Sequence, residues 1–167
     1  MWVGIVVALA SIACGRIAFD PRSDANEGPC PLGYTSVGER CFRVERDDDL
    51  TPTWHEFELK CEADAVGAHL IVIDDASELA DLTAHMIGIN VNDAALGCSY
   101  RNMQWLNIFG FPAFVDWRVG EPGGIGCCAI DASSGQMWSA GNAGGLDVAG
   151  LDYVCEYDGL LSDPASF

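Results

Sequence analysis

Eight cysteines in a chain of 167 residues constrain this protein more than any other feature. They stand at positions 14, 30, 41, 61, 98, 127, 128 and 155. That density suits an oxidising compartment and is foreign to a reducing cytosol. No two of them make the Cys-x-x-Cys pair of a zinc site, and the chain has only three histidines. The cysteines therefore read as disulfide partners rather than metal ligands. A chain stapled in this way can fold around short elements and long loops.

The N-terminus points to export. Residues 1–14 carry no charge, and their apolar run is too short to span a bilayer. It has the length of a signal-peptide hydrophobic region. Ser11-Ile12-Ala13-Cys14 resembles a bacterial lipobox, in which Cys14 would be acylated and become the new N-terminus. An ordinary cleaved signal peptide is the alternative, and both readings export the chain. Residues 15–29 hold Pro21, Ser23, Asp24, Asn26, Glu27, Gly28 and Pro29 without apolar periodicity, which predicts a flexible linker. The folded domain is expected over 30–158, followed by a tail over 159–167.

Charge narrows the partners. Asp and Glu number 25 against 8 Lys and Arg, a net charge of −17. Nucleic acid is held by Lys and Arg against phosphate, so this surface would repel it. An anionic membrane surface is disfavoured for the same reason, leaving a lipid on Cys14 as the one expected membrane attachment.

Periodicity gives the first half of the domain. Cys30 to Tyr34 and Cys41 to Val44 read as two short strands about a turn near Gly38. Residues 53–66 read as an amphipathic helix with Trp54, Phe57, Cys61 and Ala65 on one face. Thr53 and Glu56 have the spacing of a capping box, and Gly67 ends the helix. Leu70-Ile71-Val72-Ile73 reads as a buried strand. A second helix starts at Asp75, with Glu78 completing an Asp-x-x-Glu variant of the box, and runs to about Met86. From Gly88 to Asp152 the pattern is one of loops and short strands. Residues 151–157 alternate like a closing strand.

These residues resemble, in order and spacing, the C-type lectin-like domains. The resemblance rests on Trp54-x-Glu56-Phe57-x-x-x-Cys61, on Gly67-Ala68-His69-Leu70, and on a second helix holding Glu78. It continues through Ile87-Gly88-Ile89, Phe114-Val115-Asp116-Trp117, Gly120-Glu121-Pro122 and Tyr153-Val154-Cys155-Glu156. It implies an α+β fold with two helices, small antiparallel sheets and a long loop region carrying the ligand site. It also implies a hairpin disulfide between Cys30 and Cys41 and a whole-domain disulfide between Cys61 and Cys155. The latter closes a loop of roughly ninety residues, worth about 4–5 kcal/mol in the chain-entropy model. Cys127 or Cys128 stands where the family has the first cysteine of a loop disulfide. The usual partner after Trp138 is missing, and Cys98 is the available substitute. Which of Cys127 and Cys128 pairs with it stays open, with Cys128 taken as the partner, and the other is left free or bonded to another chain.

In the sugar-binding members the resemblance implies a Ca²⁺ site, and such a site needs six to eight oxygen ligands. Glu121 and Pro122 are present, but Gly123 stands where the motif has Asn. Ser139 and Ala140 stand where it has an Asn-Asp pair, and Asp131 could at most assist. The expectation is therefore no cofactor, with calcium disfavoured. No Gly-x-Ser-x-Gly elbow or His-Glu-x-x-His helix appears. The thiol left over at Cys127 or Cys128 is the one nucleophile worth naming. The reading that results is a non-catalytic, calcium-independent recognition module on the cell surface or in an extracytoplasmic space. It binds a protein or glycan through the Gly-rich stretch 108–147, with Glu121, Asn142 and Asp147 as contacts. A calcium-dependent lectin and a structural surface lipoprotein without ligand are the alternatives.

Overall fold

The computed structural model describes residues 30–46, 53–141 and 150–162. Its elements run β1 (Thr35–Val37), β2 (Arg40–Glu45), α1 (Trp54–Asp64), β3 (Ala68–Leu70), α2 (Ala76–Gly88), β4 (Asp93–Arg101), β5 (Gln104–Asn107), β6 (Cys127–Asp131), β7 (Gln136–Ala140) and β8 (Asp152–Tyr157). The leader, the lipobox Cys14, the linker, Asn142 and Asp147 lie outside the described residues. Among the described residues no helix is long and apolar enough to cross a membrane.

Both helices begin where their polar residues can satisfy backbone donors. The Thr53 hydroxyl accepts from the Glu56 N–H, and the Glu56 carboxylate accepts from the Thr53 N–H at 2.6 Å, closing the capping box of α1. Trp54, Phe57 and Cys61 are buried along one face. Asp75 caps α2 by accepting from the N–H groups of Ser77 and Glu78. Its box does not close as the spacing suggested: Glu78 reaches past Asp75 and accepts from the Asp74 N–H at 2.7 Å. The helix also continues two residues past Met86, to Gly88.

The strands form one sheet in the order β1-β2-β8-β4-β6-β7, with β3 paired to β8 and β5 to β4. All pairings are antiparallel except β4 with β8. The sheet is buried on both faces. Leu70, Ala95, Cys127, Ala129, Tyr153 and Cys155 pack with Trp54 and Phe57 of α1. Their neighbours Ile71, Ala94, Leu96, Cys128, Ile130 and Val154 pack with Leu79, Leu82 and Met86 of α2. Alternate side chains of a strand point to opposite faces, so each helix takes one set.

Three strands differ from the sequence reading. The first, expected over Cys30 to Tyr34, forms instead as β1 at Thr35–Val37, just before the turn at Gly38. The strand expected at 70–73 lies two residues earlier, as β3. Residues 71–73 remain buried, and Ile71 is still bonded, donating to Val154 and accepting from Gly97. The nine-residue β4 falls in the stretch that reads as loops and short strands. Gly97 interrupts its apolar pattern. A Cβ there would meet the Leu70 carbonyl oxygen at 2.5 Å, so the close passage of the chain requires glycine.

Among the described residues three disulfides close the frame: Cys30–Cys41, Cys61–Cys155 across 94 residues, and Cys98–Cys128 across 30. Cys127 is free and buried. Part of the expected tail still packs on the domain. The Gly159 N–H donates to the Gly67 carbonyl, and the Ser162 hydroxyl bonds the Glu62 carboxylate.

Candidate functional site

The loop of 108–126 connects β5 to β6 and carries the Gly-rich, exposed surface. It is fixed at both ends by backbone bonds. At its start, the buried Asn107 side-chain oxygen accepts from the N–H groups of Phe109 and Phe111 at 3.1 and 2.9 Å. Further along, the chain bridges to β7: Met137 donates to the Asp116 carbonyl at 2.8 Å, and Arg118 donates to the Met137 carbonyl at 2.9 Å. Trp117 sits under this bridge with its ring centroid 4.7 Å from that of Trp105. Trp117 and Trp138 are both half-buried, so they brace the loop as much as they border it.

Glu121 is the centre of the next turn, and its peptide bond to Pro122 is cis. One carboxylate oxygen, Oε2, accepts three bonds: from Gly123 N–H at 2.6 Å, from Ser139 N–H at 3.1 Å and from the Ser139 hydroxyl at 2.6 Å. The other, Oε1, lies 3.7 Å from the Arg118 guanidinium. These donors, the Ser139 hydroxyl first, hold the Glu121 carboxyl below the usual carboxylate range. Arg118 also stands 3.9 Å from Asp131 and lies over the Trp138 ring at 5.2 Å. The Asp131 carboxyl is likewise held low, chiefly by the Ser133 hydroxyl.

This arrangement places the sequence-predicted residues unequally. Of Glu121, Asn142 and Asp147, Glu121 alone lies among the described residues. Its side chain is 16% exposed and turns toward β7, where it ties the loop to Ser139. Beyond it, Val119, Pro122, Gly123, Gly124 and Ile125 form the exposed apex. Arg118 was missed from sequence. Its signal was the single basic residue placed between Trp117 and Glu121 in a strongly acidic chain.

The described residues around Glu121 do not fit a Ca²⁺ ion. Gly123 has no side-chain oxygen, and the Ser139 hydroxyl donates to the carboxylate it would have to join in ligation. Arg118 already places a fixed positive charge between Glu121 and Asp131. Among the described residues there, side-chain oxygens alone fall short of the six to eight oxygen ligands that Ca²⁺ takes. Chemistry at the leftover cysteine also lacks support: burial pushes the Cys127 thiol up to about 12, far from a thiolate nucleophile.

This fold, with one helix on each face of the sheet, superposes on solved structures. Human lithostathine superposes with a TM-score of 0.61 at 18% identity, covering 77% of this chain and 99% of that one. The fold is the C-type lectin-like fold. The Ca²⁺-independent C-type lectin SPL-2 from Saxidomus purpuratus gives a TM-score of 0.60 at 18% identity, with 77% and 94% covered. By sequence, the snaclec crotocetin-1 of Crotalus durissus terrificus is 30% identical over 88 residues. That match takes in 53% of this chain and about half, 48%, of the relative. No family model matches the chain.

Proposed function

We propose that this lectin-fold domain is an exported, non-catalytic recognition module that binds a protein or glycan ligand through its long-loop half without calcium. The observation that carries the reading is the state of Glu121. Its carboxylate closes the loop internally, through Ser139 and Gly123, in the place where a metal-dependent site would need it open. The loop is therefore held in shape by hydrogen bonds of the chain itself. Loops fixed on a rigid frame are where binding residues concentrate. SPL-2, of the same fold, is a Ca²⁺-independent lectin. Three disulfides favour an oxidising, extracytoplasmic setting, with Cys14 as the point of lipid attachment if the lipobox is processed.

The contact surface proposed is the apex around Pro122 together with Asn142 and Asp147. With a net charge of −17, a basic protein partner would be drawn to it, and its association should slow as salt rises. A glycan and surface-protein binding screen with and without EDTA tests the reading. Binding that survives EDTA and weakens in the Asn142→Ala/Asp147→Ala double variant supports it. Micromolar Ca²⁺ affinity by calorimetry, or binding abolished by EDTA, would favour a calcium-dependent lectin instead.

A further inference from the structure

Away from Glu121 in the sequence, His69 and Glu156 face each other across the β3–β8 ladder, so their side chains leave the sheet together. Asp158 follows two residues after Glu156. One ligand atom from each of the three lies within 4.8 Å of the others. His69 is fully buried, and its Nδ1 stands 2.9 Å from the Leu70 carbonyl oxygen. A carbonyl only accepts, so Nδ1 donates to it, and Nε2 points at the carboxylates. Nε2 is 3.0 Å from Asp158 Oδ1. An imidazole anchored by one nitrogen on a carbonyl, with the other facing anionic ligands, is how proteins orient a metal-binding histidine.

The surrounding charge is negative in excess. Asp74, Glu78 and Glu156 share the one guanidinium of Arg40, and Asp158 adds a further carboxylate.

We propose that His69, Glu156 and Asp158 form a three-ligand site for a divalent transition cation of the Zn²⁺ class. One imidazole with two carboxylates suits Zn²⁺, whereas Ca²⁺ and Mg²⁺ take oxygen-only sets. On binding, Nε2 gives its proton to solvent and the cation takes that position between the imidazole and the two carboxylates. Arg40 holds Glu156 through Oε1, so the second oxygen serves as ligand. Metal–ligand bonds of about 2.0–2.2 Å place tetrahedral ligand atoms roughly 3.3 Å apart. The cluster must therefore contract, and Asp158, 19% exposed just past β8 with its Oδ1 also accepting from the Leu160 N–H, is the most accessible of the three and the route of entry. A water completes the fourth position. The cation would pin the end of β8 to β3 directly beneath the long loop, because the Phe109 ring meets His69 edge-on at 5.0 Å.

The metal alone is the probe. ZnCl₂ titrated calorimetrically into the chelator-stripped chain, with its disulfides formed, should bind one ion per chain. Asp158→Asn should weaken that binding at least tenfold, and His69→Gln should abolish it. His55→Gln/His85→Gln, which removes the other two imidazoles, should bind like the parent. Co²⁺ should give tetrahedral visible absorption in the parent and lose it in Asp158→Asn, which settles the matter if His69→Gln fails to fold. No Zn²⁺ binding below roughly 100 μM, or equal affinity in Asp158→Asn, overturns the proposal.

Discussion

Cys127 and Cys128 are adjacent in the chain and belong to opposite faces of the same sheet. Cys128 lies on the α2 side, where it meets Cys98, and Cys127 lies on the α1 side among Trp54, Phe57 and Cys155. The two cysteines should therefore behave differently. Cys127 should resist a thiol reagent in the native protein and react only on unfolding, because burial holds it protonated. Cys128→Ser should open the 30-residue loop and cost about 3–4 kcal/mol in urea unfolding. Mass mapping of labelled peptides checks the first expectation, and rapid native labelling at Cys127 would contradict it.

A second expectation concerns Arg40. Its guanidinium contacts Glu78 at 2.7 Å, Glu156 at 2.8 Å and Asp74 at 3.4 Å, joining β2 to α2 and β8. The side chains of Glu78 and Glu156 are each 2% exposed, so they have little water to fall back on. Arg40→Met should leave both buried charges without their guanidinium and lower stability by about 3–5 kcal/mol. Arg40→Lys should recover only part of it, since one ammonium does not reproduce the guanidinium fork. Full rescue by Lys in chemical denaturation would show that charge alone matters there.

Much of this was legible in the sequence, for identifiable reasons. The helices announced themselves because Thr53, Glu56 and Asp75 are local signals, and because Trp54, Phe57, Leu79 and Leu82 keep helical spacing. The choice between Cys127 and Cys128 was not legible. It depends on which face β6 turns to α2, a property of sheet register and not of spacing. β4 was hidden because Gly97 answers to a carbonyl of a distant segment, at Leu70. Arg118 was hidden for a similar reason: its partners Glu121, Asp131 and Trp138 meet only when the loop bridges to β7.

The loop tie gives a third prediction. Glu121 and Ser139 are bonded both through the hydroxyl and through the backbone N–H. Glu121→Ala should remove the acceptor for three donors and cost about 1–3 kcal/mol, concentrated in the loop. Glu121→Gln keeps an acceptor and should cost less. Hydrogen exchange at the Gly123 and Ser139 amides should quicken in the Ala variant while the helices stay protected. Unchanged exchange at both amides would show that the carboxylate does not hold the loop.

The pH profile gives the last prediction, and it turns on Glu58. This side chain is fully buried on α1, with Oε2 accepting from the Leu70 N–H at 2.6 Å. Burial is the larger influence and pushes its pKa up to about 7, from 4.5. Below pH 4.5 the carboxyl is protonated in both folded and unfolded chains, so it contributes no slope. Between 4.5 and 7 the unfolded chain has lost the proton that the folded chain still holds, so stability falls as pH rises. Above 7 both are ionised and the slope ends. The total is about 3 kcal/mol at 1.36 kcal/mol per unit. Glu121 and Asp131, whose pKa values are lowered, act in the opposite sense, and their contribution is lost only as pH drops below the ordinary carboxylate range. The protein should therefore be most stable in mild acid, near pH 4.5–5, and weaker at neutrality. Glu58→Gln keeps an acceptor for Leu70 and has no charge to bury, so it should match the parent near pH 4.5 and exceed it at pH 8. Urea unfolding in EDTA across pH 4–8 measures both curves. A parent profile that rises from pH 5 to 8, or a Glu58→Gln variant less stable than the parent at pH 8, would show that the buried carboxyl is not held neutral.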